Sequence, residues 1–565
     1  GAREIVETVV FVVVLVLMLK SFVAEAFVIP TGSMAETLWG YQKDVTCPKC
    51  NHRFPVNASD EAEGGPTRNY VSGCTCPNCR QKLTLYPPNQ KPADDLPENV
   101  AILDPSFVVG EWAPAILQNL FNGPRSGDRV LVSKYPYDVP AGGPRRLDVV
   151  VFKFPGDEQR RDFPNTGPYK NHVPINYIKR LIGLPGETIA VHRGKVFVLA
   201  PELSPKYPED DEARKDPSRA ILMWRMQVGE WLHVDDVRAR ELFKEQKFTI
   251  NRKTPDVLTA MMRLVYDNDL PAKDLPGLDF KRWVTTRDSD WTENEDNHTF
   301  TCSGGADTTW LRYRHVLRDE PNKPQLITDF MGYNTDRPGR GGSTGTNWAS
   351  DLIVECQVKA EKGEGKFVVE LSRGPSRYQA EFDAGTGECV LVRLKDGAKV
   401  ETLGQAATKF KGAGTYNLRF ANVDDRLTVW VNGSLPFGHG VAYDSPFTFA
   451  PTAHNDLDRP ASLGASGGQF TVRNLKLYRD TYYTSSRDVG SPDVPGFSPN
   501  DPTTWTQVVD TPFTTYYVQP GHYLCLGDNS PKSADSRSWG LVPARLLLGR
   551  AVLVYFPFPR VGRIK

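Results

Sequence analysis

The spacing of apolar positions divides the chain into stretches of different character. From Val9 to Leu19 every residue is apolar (VVFVVVLVLML) and no polar stripe interrupts the run, which predicts a helix apolar on all sides. The run alone falls short of the ~20 residues a bilayer requires. It reaches that length if Lys20 snorkels and Ile5, Val6, Phe22, Val23 and Ala24 join it. A cleavable leader is the rival reading: the run has the right length and Ala24-Glu25-Ala26 fits a small-x-small cleavage site, but only Arg3 precedes it as a base. Further on, Phe27 to Ile29 are expected to be extended because Pro30 follows. Tyr177 to Ile182 predict a strand with Tyr177, Lys179 and Leu181 on one face, closed by the turn Leu184-Pro-Gly-Glu187. Helical spacing follows over 235–246 and 255–267. From about residue 283 to 482 the period is two. Leu352, Val354, Cys356 and Val358 alternate with Glu355, Gln357 and Lys359, and further strands are expected at Lys366–Leu371, Tyr378–Phe382, Cys389–Leu394, Thr415–Phe420, Arg426–Val431 and Gln469–Tyr478. Turn residues separate them at regular intervals, which predicts a β-sandwich.

Composition agrees with a mainly β chain: 47 glycines, 45 prolines and 10% aromatics among 565 residues. The length suggests about three to four units. Formal net charge is zero, so no basic excess exists to neutralise phosphates, and nucleic acid is excluded as an electrostatic partner. Of the nine cysteines, four form Cys47-Pro-Lys-Cys50 and Cys76-Pro-Asn-Cys79. Two such knuckles predict a zinc ribbon with four thiolate ligands. A segment this short cannot build a core alone, so a metal staple makes physical sense. Two disulfides are the alternative, which an extracytoplasmic setting would favour; the paired symmetry and the proline in each knuckle put zinc ahead.

Three segments carry candidate chemistry. Ser33 follows Pro30-Thr31-Gly32 on a turn where glycine permits close backbone approach. Lys179 stands among apolar residues on a strand face, where desolvation would leave a neutral amine able to take a proton. Gly527-Asp-Asn-Ser-Pro-Lys-Ser533-Ala-Asp535-Ser-Arg537 is a loop whose Asp535 and Arg537 are spaced for an ion pair. Taken singly, these are equally a solvated turn serine, an edge lysine reaching water and a structural loop pair.

In this order, and with Lys20–Phe27, Gly127–Lys134 and Leu147–Lys153 beside them, the three segments resemble the bacterial type I signal peptidases, over roughly residues 5–44, 107–200 and 505–560. The resemblance implies a membrane-bound serine endopeptidase that removes Ala-x-Ala-type signal peptides from exported preproteins, with no cofactor in catalysis. It implies Ser33 as nucleophile, Lys179 as general base, the Ser33 N–H and the Thr31 hydroxyl as oxyanion hole, Ser533 as the group that orients the lysine amine, and Asp535 with Arg537 as support. A substrate strand would add to the edges at Phe27–Thr31 and Asn176–Ile178, near Tyr177, with Ile29, Pro30, Met34, Leu38 and Ile178 lining small pockets. It also implies a retained single-pass anchor in the cytoplasmic membrane, with the lipid bilayer as partner and the catalytic domain on the outer face. One departure is Glu36, where the family usually has proline.

The expected organisation is an anchor at 1–27, core segments at 28–43, 94–200 and 505–565, a zinc-ribbon insertion at 44–93, a helical insertion at 201–282, a β-sandwich insertion at 283–482 and a linker at 483–504. Arg426–Gly433 and Phe470–Tyr478 resemble concanavalin/laminin-G-type jelly rolls, which would allow a glycan or protein ligand. The sandwich is expected to form an independent lobe, and the loop 453–458 is a candidate cation site. Two rivals remain: a membrane-tethered glycan-binding or scaffold protein on a decayed peptidase core, and a self-cleaving Ser/Lys regulator. Intact Ser33, Lys179, Ser533 and Asp535 speak against the first, and an apolar N-terminal helix in place of a DNA-binding segment speaks against the second.

Overall fold

The computed structural model describes residues 1–18, 23–63, 71–85, 124–134, 137, 142–155, 175–204, 236–275, 277, 279–285, 291–335, 345–446, 449–486, 491–511 and 513–565. Lys20 and Phe22 of the expected apolar segment lie outside these, as do residues 205–235 of the expected helical insertion and part of the 483–504 linker.

The N-terminal helix covers Ala2–Met18, 17 residues. Among the described residues no helix is long and apolar enough to cross a membrane. The expected anchor boundary at residue 27 is also corrected. Ala24–Val28 is a strand that pairs antiparallel with Arg129–Ser133, and Glu25 forms an ion pair with Lys134 at 2.8 Å. Ladder hydrogen bonds and this charge pair commit Ala24 to the sheet rather than to the helix.

That strand is the edge of an eight-stranded sheet. The order continues through Arg129–Ser133, Leu547–Phe556, Val149–Lys153, Asn176–Gly183, His522–Leu526 and Val542–Pro543, with Gly562–Arg563 beside Leu547–Phe556. A second sheet of four strands orders Phe248–Ile250, Lys195–Leu199, Thr188–His192 and Thr514–Tyr517. Residues from both ends of the chain thus close one core, joined by the strand Phe248–Ile250, and the sandwich is inserted into it.

The inserted sandwich has two antiparallel sheets. One runs Trp291–Asn294, Thr299–Cys302, Phe470–Arg479, Leu352–Ala360, Gly414–Val423, Arg426–Val431 and Val441–Ala442; the other runs Trp283–Thr285, Thr309–Tyr313, Ala461–Ser466, Lys366–Arg373, Ser376–Asp383, Glu388–Lys395 and Ala398–Ala407. Phe300, Phe367, Phe382, Phe410, Phe420 and Phe470 meet between them, all buried. Each such side chain contributes roughly 1.5–3 kcal/mol by leaving water. The expected helix over 255–267 is shorter than its spacing suggested: it ends at Met261, and Arg263–Asp267 is a strand on Phe470–Arg479. Val265 and Tyr266 bury into the sandwich core there, a gain that overrides local helical preference.

The sandwich does not stand apart, which corrects the expectation of an independent lobe. Its segment 329–335 reaches the Gly32–Met34 turn and the cysteine module together. Lys253 bridges Asp424 at 2.8 Å and Asp480 at 2.7 Å, and Lys195 of the four-stranded sheet pairs with Asp351 and Asp425. The loop 453–458 is also accounted for without a cation: Asp456 accepts backbone N–H groups of Gly374 and Thr452.

Candidate active site and four-cysteine cluster

Ser33 sits on a short 3-10 turn, Gly32–Met34, with Ala35 N–H returning to the Gly32 carbonyl at 3.1 Å. The turn follows directly from the edge strand, so Ser33 is presented at the margin of the large sheet. Lys179 lies in the strand Asn176–Gly183. Strand alternation places it with Leu181 on one face, while Ile178 turns to the other cluster. Only 2% of Lys179 is exposed. Its Nζ donates to Ser33 Oγ at 2.6 Å and to the Ile178 carbonyl at 3.1 Å. Burial pushes the Lys179 ammonium down to about 8, against the opposing pull of the Asp535 carboxylate.

The loop after His522–Leu526 supports the pair from below. Asp535 is fully buried and accepts from Gly527 N–H, Arg537 N–H and the Arg537 guanidinium at 2.7 and 2.9 Å. Burial alone would raise the Asp535 pKa, but the adjacent guanidinium and these hydrogen bonds hold it below the usual carboxylate range. Arg537 spends its remaining donors on Thr484 and Ser530. Gly527 must lack a side chain, since a Cβ there would collide with Ser533 Oγ and the Ser33 carbonyl.

Several expected placements differ. Ser533 is buried beside Gly527, but among the described residues its Oγ has no hydrogen-bond partner. The Ile178 carbonyl, not Ser533, takes the second lysine hydrogen bond. Thr31 is exposed and its hydroxyl does not cap the Ser33 turn. Ile29, Met34, Leu38 and Ile178 do join one apolar cluster, with Phe27 packed against it. Met34 and Leu38 carry no exposed surface, so they back the cluster rather than line an open pocket. Pro30 is half-buried at the edge of the turn. Tyr177 shares the face of Lys179 and Leu181, away from that cluster, against Phe152, Phe154 and Trp539. Of the expected edge Phe27–Thr31, only Phe27 and Val28 lie in a strand. Ala24–Val28 ends the sheet, and Asn176–Lys179 pair with Lys153–Val150 on one side while His522–Leu526 pairs only from Arg180 onward.

Sequence reasoning missed the deepest ion pair. Arg180, next to Lys179, forks onto Asp528 at 2.7 to 3.2 Å with both side chains fully buried, and Tyr483 donates to the same carboxylate at 3.0 Å. Alternation could have shown that Arg180 faces away from Lys179; nothing local pointed to Asp528.

The cysteines form two matched knuckles at the ends of short hairpins, Gln42–Thr46 with Arg53–Asn57 and Gly73–Thr75 with Lys82–Thr84. Cys47 N–H donates to His52 O at 2.9 Å and Asn51 N–H returns to Cys47 O at 2.9 Å; Cys76 to Gln81 and Arg80 to Cys76 repeat the pattern at 2.9 and 3.1 Å. Asn51 and Arg80 adopt positive φ at the equivalent step. The four buried sulfurs lie within 4.8 Å of one another and none is bonded to another. Cys47 and Cys79 are 3.5 Å apart, Cys50 and Cys76 3.6 Å.

Comparison with known proteins bears on the same segments. Residues 107–257 and 468–556 match the family described as signal peptidase, peptidase S26. These stretches contain Lys179, Ser533, Asp535 and Arg537; Ser33 lies outside them. The chain is 25% identical to signal peptidase I of Pseudomonas fluorescens over 206 residues, 30% of this chain and 62% of that one. It is 36% identical to signal peptidase I of Pseudomonas aeruginosa over 87 residues, 14% and 25% of the two chains. A probable signal peptidase I-2 of Synechocystis is 53% identical over 45 residues, 8% and 21%. The chain thus spans from about a fifth to three-fifths of the length of these relatives. Among solved structures, a carbohydrate binding module CBM66 from Bacillus subtilis aligns at 14% identity and TM-score 0.23, covering 35% of this chain and 95% of that one. Sheep galectin-11 aligns at 17% identity and TM-score 0.17, covering 23% and 89%.

Proposed function

We propose that the chain is a serine endopeptidase of the type I signal peptidase kind, working through Ser33 and Lys179. The observation that carries this is the 2.6 Å contact between Ser33 Oγ and the buried Lys179 amine. A serine hydroxyl is a weak nucleophile and needs an adjacent base. Neutral Lys179 accepts the Ser33 proton as Oγ attacks the scissile carbonyl. The Ser33 N–H and the Thr31 hydroxyl take up the charge on the carbonyl oxygen. The Lys179 ammonium then protonates the leaving amine, releasing the mature chain and leaving the leader as an ester on Ser33. Water, deprotonated by Lys179, hydrolyses that ester. The leader strand adds between the open edges at Phe27–Thr31 and Asn176–Ile178, against the Ile29 and Ile178 cluster, which suits small residues at its last and third-last positions. The apolar helix, with exposed Ile5, Val6, Val9, Val10 and Phe11, is the tether to a bilayer; carbonate extraction with and without residues 1–22 separates this from a peripheral chain.

The pH dependence is the direct test. Lys179 must be neutral to act, so kcat/KM on a model preprotein rises with pH through about 8, the depressed value of its ammonium. An optimum in acid contradicts the assignment. Lys179→Arg stays inactive at every pH, because a guanidinium keeps its proton.

The same reading makes the four cysteines a structural zinc site. A tetrahedral Zn–S bond of ~2.3 Å implies sulfur separations of about 3.8 Å, close to those seen. Cys47, Cys50, Cys76 and Cys79 would hold the ion, which would tie the two hairpins together. Elemental analysis should give one zinc per chain, lost in Cys47→Ala/Cys76→Ala together with a lowered Tm. Oxidised thiols with no zinc would replace this reading with disulfides.

A further inference from the structure

The segment Met331–Thr335 belongs to the sandwich insertion, yet Tyr333 reaches the Ser33 turn directly and Asn334 reaches it through Asn529. The Tyr333 ring lies so close against Gly32 that a Cβ there would collide with it. The next residue, Asn334, faces Asn529 in a reciprocal amide pair: Asn334 Nδ2 donates to Asn529 Oδ1 at 3.0 Å, and Asn529 Nδ2 donates to Asn334 Oδ1 at 2.7 Å. Asn529 Nδ2 also donates to the Gly32 carbonyl at 3.0 Å, and its backbone N–H to the Ser33 carbonyl at 3.0 Å. Asn334 and Asn529 are both buried. The cysteine module braces the far side of the segment, with Asn57 N–H donating to Tyr333 O at 2.9 Å and Thr335 Oγ1 to Asn57 O at 3.1 Å.

We propose that Asn334 is a positioning residue for Ser33, acting through Asn529. This rests on the peptidase reading above and deepens it. An amide has a donor end and an acceptor end. Asn334 engages both ends of the Asn529 amide, and the Gly32 carbonyl takes the remaining N–H, so the two together hold Asn529 in place. With Asn334 in place, the Asn529 Oδ1 is occupied and its NH2 must face Gly32 O. Without it, the Asn529 amide is free to rotate, and its oxygen would then repel the Gly32 carbonyl. The peptide unit between Gly32 and Ser33 would lose its side-chain anchor, while the Asn529 backbone N–H still holds the Ser33 carbonyl and Lys179 stays fixed by the Ile178 carbonyl. The Oγ–Nζ distance, and the aim of the Ser33 N–H at the oxyanion, therefore depend on a residue supplied by the insertion.

The test uses the full chain with a model preprotein. Asn334→Ala should lower kcat about 10- to 100-fold, the size of effect expected from a small misplacement of reacting groups, with KM within twofold. Asn334→Ala/Asn529→Ala should be no slower than Asn529→Ala alone, because the first residue acts through the second. Hydrogen exchange of the peptide spanning residues 29–38 should speed up in Asn334→Ala, a readout that stands even where no substrate is turned over. If Asn334→Ala does not fold, the near-isosteric Asn334→Asp keeps the acceptor and removes the donor, and it should show the same kcat loss. Wild-type kcat with unchanged exchange in a folded Asn334 variant overturns the proposal, as does a double variant whose losses multiply. Failure of the wild-type chain itself to cleave, with exchange still altered in Asn334→Ala, would instead count against the peptidase reading and leave the positioning role standing.

Discussion

Replacing Ser33 with alanine should abolish the proposed preprotein cleavage, and so should replacing Lys179 with alanine, each by at least about three orders of magnitude. Ser33→Ala removes the atom that would form the ester. Lys179→Ala leaves the hydroxyl but deletes the only amine in contact with it among the described residues. Neither change should unfold the chain. Ser33 is half-buried at a turn, and Lys179 is a desolvated cation whose loss relieves a burial cost. Asp535, its nearest carboxylate influence, keeps Arg537 and the Gly527 N–H as partners. Cleavage of a model preprotein, followed beside Tm for both variants, decides it. Turnover near wild type by either folded variant would end the Ser/Lys assignment, and an equal loss in both would point to one concerted pair rather than two separate contributions.

Cutting out residues 283–482 and joining the ends with a flexible linker should leave no cooperatively folded peptidase. The excision removes Tyr333 from Gly32 and Asn334 from Asn529. It also removes Phe470–Arg479, the strand on which Arg263–Asp267 is paired. It strands Lys253 without Asp424 and Asp480, and Lys195 without Asp351 and Asp425. Each buried polar group left unpaired costs roughly 1–3 kcal/mol, more for a charge. Several such losses consume a stability of about 5–15 kcal/mol. Circular dichroism through a thermal ramp and hydrogen exchange of the 176–183 strand provide the check. A sharp unfolding transition with retained cleavage of a short peptide would show that the sandwich is a separate lobe after all.

Much of the framework was legible because it rests on local pattern. The strand Arg426–Val431 has the bounds its turn residues set, and Leu352–Ala360 alternates as its burial does. The strand Ala398–Ala407 was invisible for the same reason in reverse. Its side chains are mostly exposed, so no apolar alternation marks it. Lys179 was legible as a lone cation on an apolar strand face. The hydrogen bond that orients it was not, because its acceptor is the Ile178 carbonyl and a main-chain oxygen leaves no trace in residue identity. Arg180 and Asp528 are 348 positions apart, and their pairing follows only from the closed sheet. Asn334 was overlooked because it lies in a segment whose period announced a self-sufficient sandwich.

The bond between Asn529 and the Gly32 carbonyl spans 497 positions of sequence. During synthesis the serine turn leaves the ribosome 497 residues before the asparagine that braces it. Chain segments so far apart meet late, after the loops between them have lost their freedom. A copy that has passed Ser33 but not yet Asn529 therefore carries the hydroxyl without its seat. Assembly in this order keeps the hydroxyl from being seated before the sheets have closed.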